Sequence, residues 1–84
     1  MSVHVIIELP DDTFSVLNTE PEAFVRELRI AAAVKWYEIG AISQAKAAEL
    51  AGLTRADFIT ALSRFSVSPF QETPEELEQE FSRG

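Results

Sequence analysis

The 84-residue chain makes one small domain, a size that buries only about 60% of the surface the unfolded chain exposes. It contains no cysteine, which excludes disulfides, thiol catalysis and Cys-based zinc sites and fits a reducing cytoplasm. Its net charge of −7 makes a single copy a weak ligand for nucleic acid, because phosphate neutralisation dominates that affinity.

The charge is unevenly spread. Residues 1–42 carry three basic against seven acidic side chains. Residues 43–65 carry Lys46, Arg55 and Arg64 against Glu49 and Asp57. Residues 66–84 carry Arg83 against five glutamates. The middle segment is thus the only one without an acidic excess. Met1-Ser2-Val3-His4 has no basic leader. The longest unbroken apolar run, Ile30 to Val34, is far too short to cross a bilayer. The expectation is a soluble cytoplasmic protein with no membrane partner.

Residues 1–10 read as a strand. Val3, Val5, Ile7 and Leu9 alternate with His4, Ile6 and Glu8, the period-2 mark of one buried face. A lone strand cannot satisfy its backbone. Its partner is either Ser66 to Phe70, where Pro69 restricts pairing to an edge, or the same strand of a second copy, giving a homodimer. Pro10-Asp11-Asp12 stops the strand and starts one helical turn through Leu17, which Asn18-Thr19 ends.

Thr19 to Glu22 has the form of a capping box with Pro21 in the first turn. A long helix over 20–39 is expected, ending at Gly40. Phe24, Val25, Leu28, Ala31, Ala32, Trp36 and Ile39 fall on one broad face, read as core. Ile30, Val34 and Tyr37 form a second apolar strip, more than one small domain needs. That strip is read as a dimer or partner surface, with a central helix wrapped by its own chain as the alternative.

Residues 43–65 form the most specific unit. Ser43 can cap a helix from Gln44 to Leu50. Gly52 supplies the positive φ of a sharp turn, and Leu53 points inward. Thr54 caps a second helix, whose stripe is Phe58, Ala61, Leu62 and Phe65. Small residues before the turn, glycine in it and a large apolar residue one turn into the second helix give the spacing of a helix-turn-helix. In that motif the second helix enters the major groove. Arg55 could pair with a guanine edge and Thr60 or Ser63 could serve as small polar contacts, with Arg64 beside them. Gln44 and Lys46 could reach phosphates. Asp57 opposes this set, and a solvated helix face is the alternative.

Thr73-Pro74-Glu75-Glu76 opens an acidic helix over 73–82, with Leu77 and Phe81 as a docking stripe. The residues do not suggest an enzyme. His4 is the only histidine, Asp11 and Asp12 fit a turn, and the three glycines are too scattered for a phosphate loop. No cofactor or metal site is expected.

The run GAISQAKAAELAGLTRADFITALSRFSVSPF, preceded by a helix ending in Trp36-Tyr37-Glu38-Ile39-Gly40, resembles a family of small prokaryotic proteins treated as VapB-like antitoxins. VHVIIELPDD and the acidic tail fit the same form. The resemblance implies an antitoxin of a type II toxin–antitoxin pair, which binds a PIN-domain ribonuclease toxin and is a candidate for binding its own promoter DNA. The expected fold is mainly α, a helix-turn-helix-like domain with a short N-terminal β-strand paired in a dimer. The alternative is a protein-interaction module with the same fold and no DNA binding.

Overall fold

The computed structural model describes residues 2–70, which contain four helices: α1 (Thr13–Val16), α2 (Pro21–Glu38), α3 (Gln44–Ala51) and α4 (Arg55–Arg64). The single turn, the long helix and the central pair of helices therefore form as the sequence predicts. The helix expected over 73–82, with Leu77 and Phe81, lies outside the described residues.

Local chemistry sets the helix ends. Pro21 occupies the first turn of α2, where a missing N–H costs nothing. The expected Thr19 cap does not form: Glu20 is the N-cap residue and makes no side-chain capping bond. Ser43 and Thr54 do cap their helices. The Ser43 hydroxyl accepts from the Lys46 N–H, and the Thr54 hydroxyl from the Asp57 N–H, each at 3.1 Å. Gly40 and Gly52 adopt φ of 79° and 72°, the left-handed conformation that glycine reaches without a Cβ penalty.

The core sits where α2, α3 and α4 meet, with α2 packed most extensively on α3. Ile30, Ala33, Val34 and Tyr37 of α2 face Ala47, Ala48 and Ala51 of α3 and Phe58, Ala61 and Leu62 of α4. Val67 closes the cluster, with Ile42, Leu50 and Leu53 packed at its margin. The alanines permit close helix approach, and the larger side chains of α2 and α4 fill the remaining volume. Phe58 and Leu62 are fully buried, and the Phe58 ring meets that of Tyr37 edge-on at 5.9 Å. Phe65, the C-cap residue of α4, is the exception in the expected stripe, exposed beneath the Arg64 guanidinium.

This packing reverses the expected faces of α2. Ile30, Val34 and Tyr37 are buried in the core of the single chain, whereas Val25, Leu28, Trp36 and Ile39 are exposed. The residues at 30, 33, 34 and 37 follow the i, i+3, i+4, i+7 pattern of one helical stripe. Because α2 is apolar on two sides, its own periodicity does not choose between them. The small residues of α3 do, since they match the strip that carries Ala33.

The N-terminal strand is also corrected. Among the described residues there is no strand, and Ser2 to Pro10 is exposed throughout. Ser66 to Phe70 does not pair with it. Instead Ser66 turns to φ 55° and the Val67 N–H donates to the Leu62 carbonyl at 2.9 Å. That bond finishes α4 and tucks Val67 into the core. No helix among the described residues is long and apolar enough to cross a membrane.

Candidate nucleic-acid interface

The unit α3–turn–α4 presents two helix N-termini on neighbouring elements. Gln44 is the first residue of α3 and Arg55 the first of α4. The turn at Gly52 brings them together although they lie 11 positions apart. The Gln44 side-chain oxygen accepts from Arg55 Nε at 3.2 Å and also from Arg55 Nη2. The Gln44 amide nitrogen donates in the opposite direction, to the Pro69 carbonyl at 3.1 Å and to the Tyr37 hydroxyl at 3.4 Å. The Tyr37 hydroxyl itself donates to the Pro69 carbonyl. Gln44 is therefore anchored from the core side and holds Arg55 from the solvent side.

That grip has a geometric consequence. A guanidinium is planar and carries five N–H donors in a fixed fork. Gln44 occupies the Nε–Nη2 edge. The Nη1–Nη2 edge has no partner among the described residues. Two parallel donors at that spacing match the O6 and N7 acceptors of guanine in the major groove, or two oxygens of a phosphate. Arg55 also stands at a helix N-terminus, where the partial positive charge of the first turn favours an anion.

The other expected contacts are placed differently. Lys46 pairs with Glu49 at 3.1 Å along α3. Arg64 pairs with Glu27 of α2 at 2.9 Å and lies over the Phe65 ring. Both pairs are largely exposed and contribute only about 0–1 kcal/mol, but each places a carboxylate beside the cation. The Thr60 hydroxyl donates to the Ala56 carbonyl one turn back. Ser63 is exposed on the outer face. Gln44 is half-buried, so its role is to hold Arg55 rather than to reach a phosphate by itself. The structure thus joins Gln44 and Arg55 and ties Lys46 and Arg64 elsewhere. Ile30, Val34 and Tyr37, the expected partner strip, contribute to the core beneath this unit.

Sequence reading missed Arg29. Its Nε donates to the Leu50 carbonyl at 2.9 Å, satisfying one of the orphan acceptors at the end of α3. The guanidinium covers Gly52, where an added Cβ would lie 3.3 Å from both terminal nitrogens. The available signal was an arginine on α2 facing a helix C-terminus that had no basic residue of its own. Among the described residues, no group of three or more histidine, aspartate or glutamate side chains is arranged to hold a metal ion.

No solved structure matches the chain. A UPF0175 protein of Aeropyrum pernix is 33% identical over 79 residues, covering 94% of this chain and 83% of the relative. The model of an uncharacterised protein family, UPF0175, matches residues 1–83. The chain belongs to the UPF0175 family.

Proposed function

We propose that the protein is a regulatory antitoxin that binds promoter DNA through α3–turn–α4 and holds a PIN-domain ribonuclease toxin. The observation that carries the DNA part is the Gln44–Arg55 pair, which presents a two-donor guanidinium edge at the start of α4. The toxin part rests on the resemblance to VapB-like antitoxins and on the apolar stripe Val25, Leu28, Trp36 and Ile39 left exposed along α2. A homodimer belongs to the same reading. One copy offers few cations to phosphate, and two copies double the contacts while binding two half-sites.

The test has two arms. Fluorescence anisotropy at low salt compares DNA from upstream of the protein's own gene with a shuffled fragment of equal length. Preference for the native fragment supports the DNA part, and equal affinity for both overturns it. Co-expression with a PIN-domain ribonuclease encoded beside the gene should restore growth, and unrelieved toxicity overturns the toxin part.

The acidic balance of the chain favours a second reading, an interaction module with this fold and no DNA binding. Relief of toxicity by a protein that binds neither DNA fragment is its signature.

A further inference from the structure

Ser2 to Leu9 is the segment that the rest of the fold leaves unexplained. Val3, Val5, Ile6 and Ile7 are well exposed, Ile6 to 96%. Among the described residues no backbone hydrogen bond involves positions 2–9. Five large apolar side chains on an unpaired backbone are costly in water, and three consecutive β-branched residues at 5–7 favour a strand over a helix. Ser66 to Phe70 is committed to ending α4 and does not pair with this segment.

We propose that Ser2 to Leu9 pairs antiparallel with the same segment of a second copy, with the two-fold axis at Ile6. This specifies the homodimer of the reading above and stands whether or not DNA or toxin is bound. The register follows from the residues. In an antiparallel pair, residues directly opposite one another point to the same face. Only registers that set odd positions against odd positions keep Val3, Val5, Ile7 and Leu9 of both copies on one apolar face, because a one-residue slip moves each side chain across. Among those, the register centred on Ile6 sets Ile6 against Ile6, Val5 against Ile7 and Val3 against Leu9. It also sets His4 against Glu8 twice, so the two charged or polar positions of each copy complement those of the other. Centring on Val5 instead faces His4 with Ile6 and Glu8 with Ser2. Centring on Ile7 faces Glu8 with Ile6 and, because Pro10 then opposes His4, confines the proline-free pairing to Val5–Leu9 instead of Val3–Leu9.

A two-stranded ribbon is marginal by itself and needs cover on its apolar face. In each copy Val16 and Leu17, the exposed large apolar side chains next along the chain, are available to provide it.

Sedimentation equilibrium of the full chain, without DNA or toxin, tests the register. The unaltered protein is expected to be dimeric. His4→Glu places two like-charge pairs across the ribbon and should raise the dimer dissociation constant about tenfold. Adding Glu8→Lys to His4→Glu should return it to within about threefold of the original. Because the chain has no cysteine, single substitutions give clean cross-linking. Ile6→Cys should form a disulfide-linked dimer much faster than Val5→Cys under mild oxidation. These positions lie outside the core, so helical circular dichroism should not change. A monomer at all concentrations overturns the proposal. So does a dimer indifferent to His4→Glu, or Val5→Cys cross-linking as fast as Ile6→Cys. None of these outcomes depends on DNA or toxin binding, so the promoter and toxin parts of the reading above keep their own tests.

Discussion

Asn18, Gly40, Gly52 and Ser66 each stand just past a helix, and all four have positive φ. The following N–H then reaches back to a carbonyl in the last turn: Thr19 to Phe14, Ala41 to Trp36, Leu53 to Ala48 and Val67 to Leu62, at 2.8–3.0 Å. One stop signal, the Schellman arrangement, thus ends all four described helices. Glycine and asparagine make three of these stops legible in the sequence. Serine at 66 conceals the fourth, which is why Ser66 to Phe70 reads as an edge strand instead of a helix end. A left-handed serine carries a Cβ penalty that glycine lacks, so Ser66→Gly should stabilise the fold by about 1 kcal/mol. Thermal unfolding should show this as a rise of about 4–8 °C. Gly40→Ala meets open space and should cost only the strain of the conformation, about 1–2 kcal/mol. Gly52→Ala also makes a tight contact with the Arg29 guanidinium at 3.3 Å, and should cost at least as much as Gly40→Ala in the same assay.

At the scale of elements, α3 and α4 were the most legible part of the chain. Cap, alanine pattern, glycine and apolar stripe pointed to the same structure independently. The facing of α2 was not legible, because hydrophobic periodicity identifies an amphipathic helix and α2 is apolar on two sides. Tertiary fit chose the strip carrying Ala33, and the larger side chains of Trp36 and Ile39 were left outside. Ile30→Ala should therefore destabilise by about 2–4 kcal/mol, whereas Ile39→Ala should stay within about 0.5 kcal/mol, as read from urea unfolding midpoints. Equal costs at the two positions would place both strips in the core. Phe58→Ala empties the centre of all three helices and should cost about 3–5 kcal/mol, much of the stability of a domain this small. The N-terminal segment failed as a strand for a different reason. Its alternation was plain, but a strand is a relation between two segments and the described residues supply only one.

At the scale of the whole molecule, the candidate site was half legible. The residue types Gln44 and Arg55 could be read as polar groups at helix starts. Their contact across the turn could not, since it needs the crossing of α3 and α4 and the anchoring of Gln44 by Tyr37 and Pro69. Nor could sequence reveal that Glu27, far away along the chain, pairs with Arg64. The result is an acidic protein whose exposed cations differ in kind: Lys46 and Arg64 are matched by carboxylates, and Arg55 is held by a neutral amide. The proposed promoter binding runs through Arg55 at this position. It is tested most directly by measuring the affinity of Arg55→Ala and Arg64→Ala for the native upstream fragment and for a shuffled one at the same salt concentration. Loss of a bidentate base contact costs about 1–3 kcal/mol of discrimination. Arg55→Ala should therefore lose about 5- to 150-fold in affinity for the native fragment and little for the shuffled one, while Arg64→Ala keeps the preference. Equal weakening of both fragments by Arg55→Ala, or an unchanged preference, would contradict it.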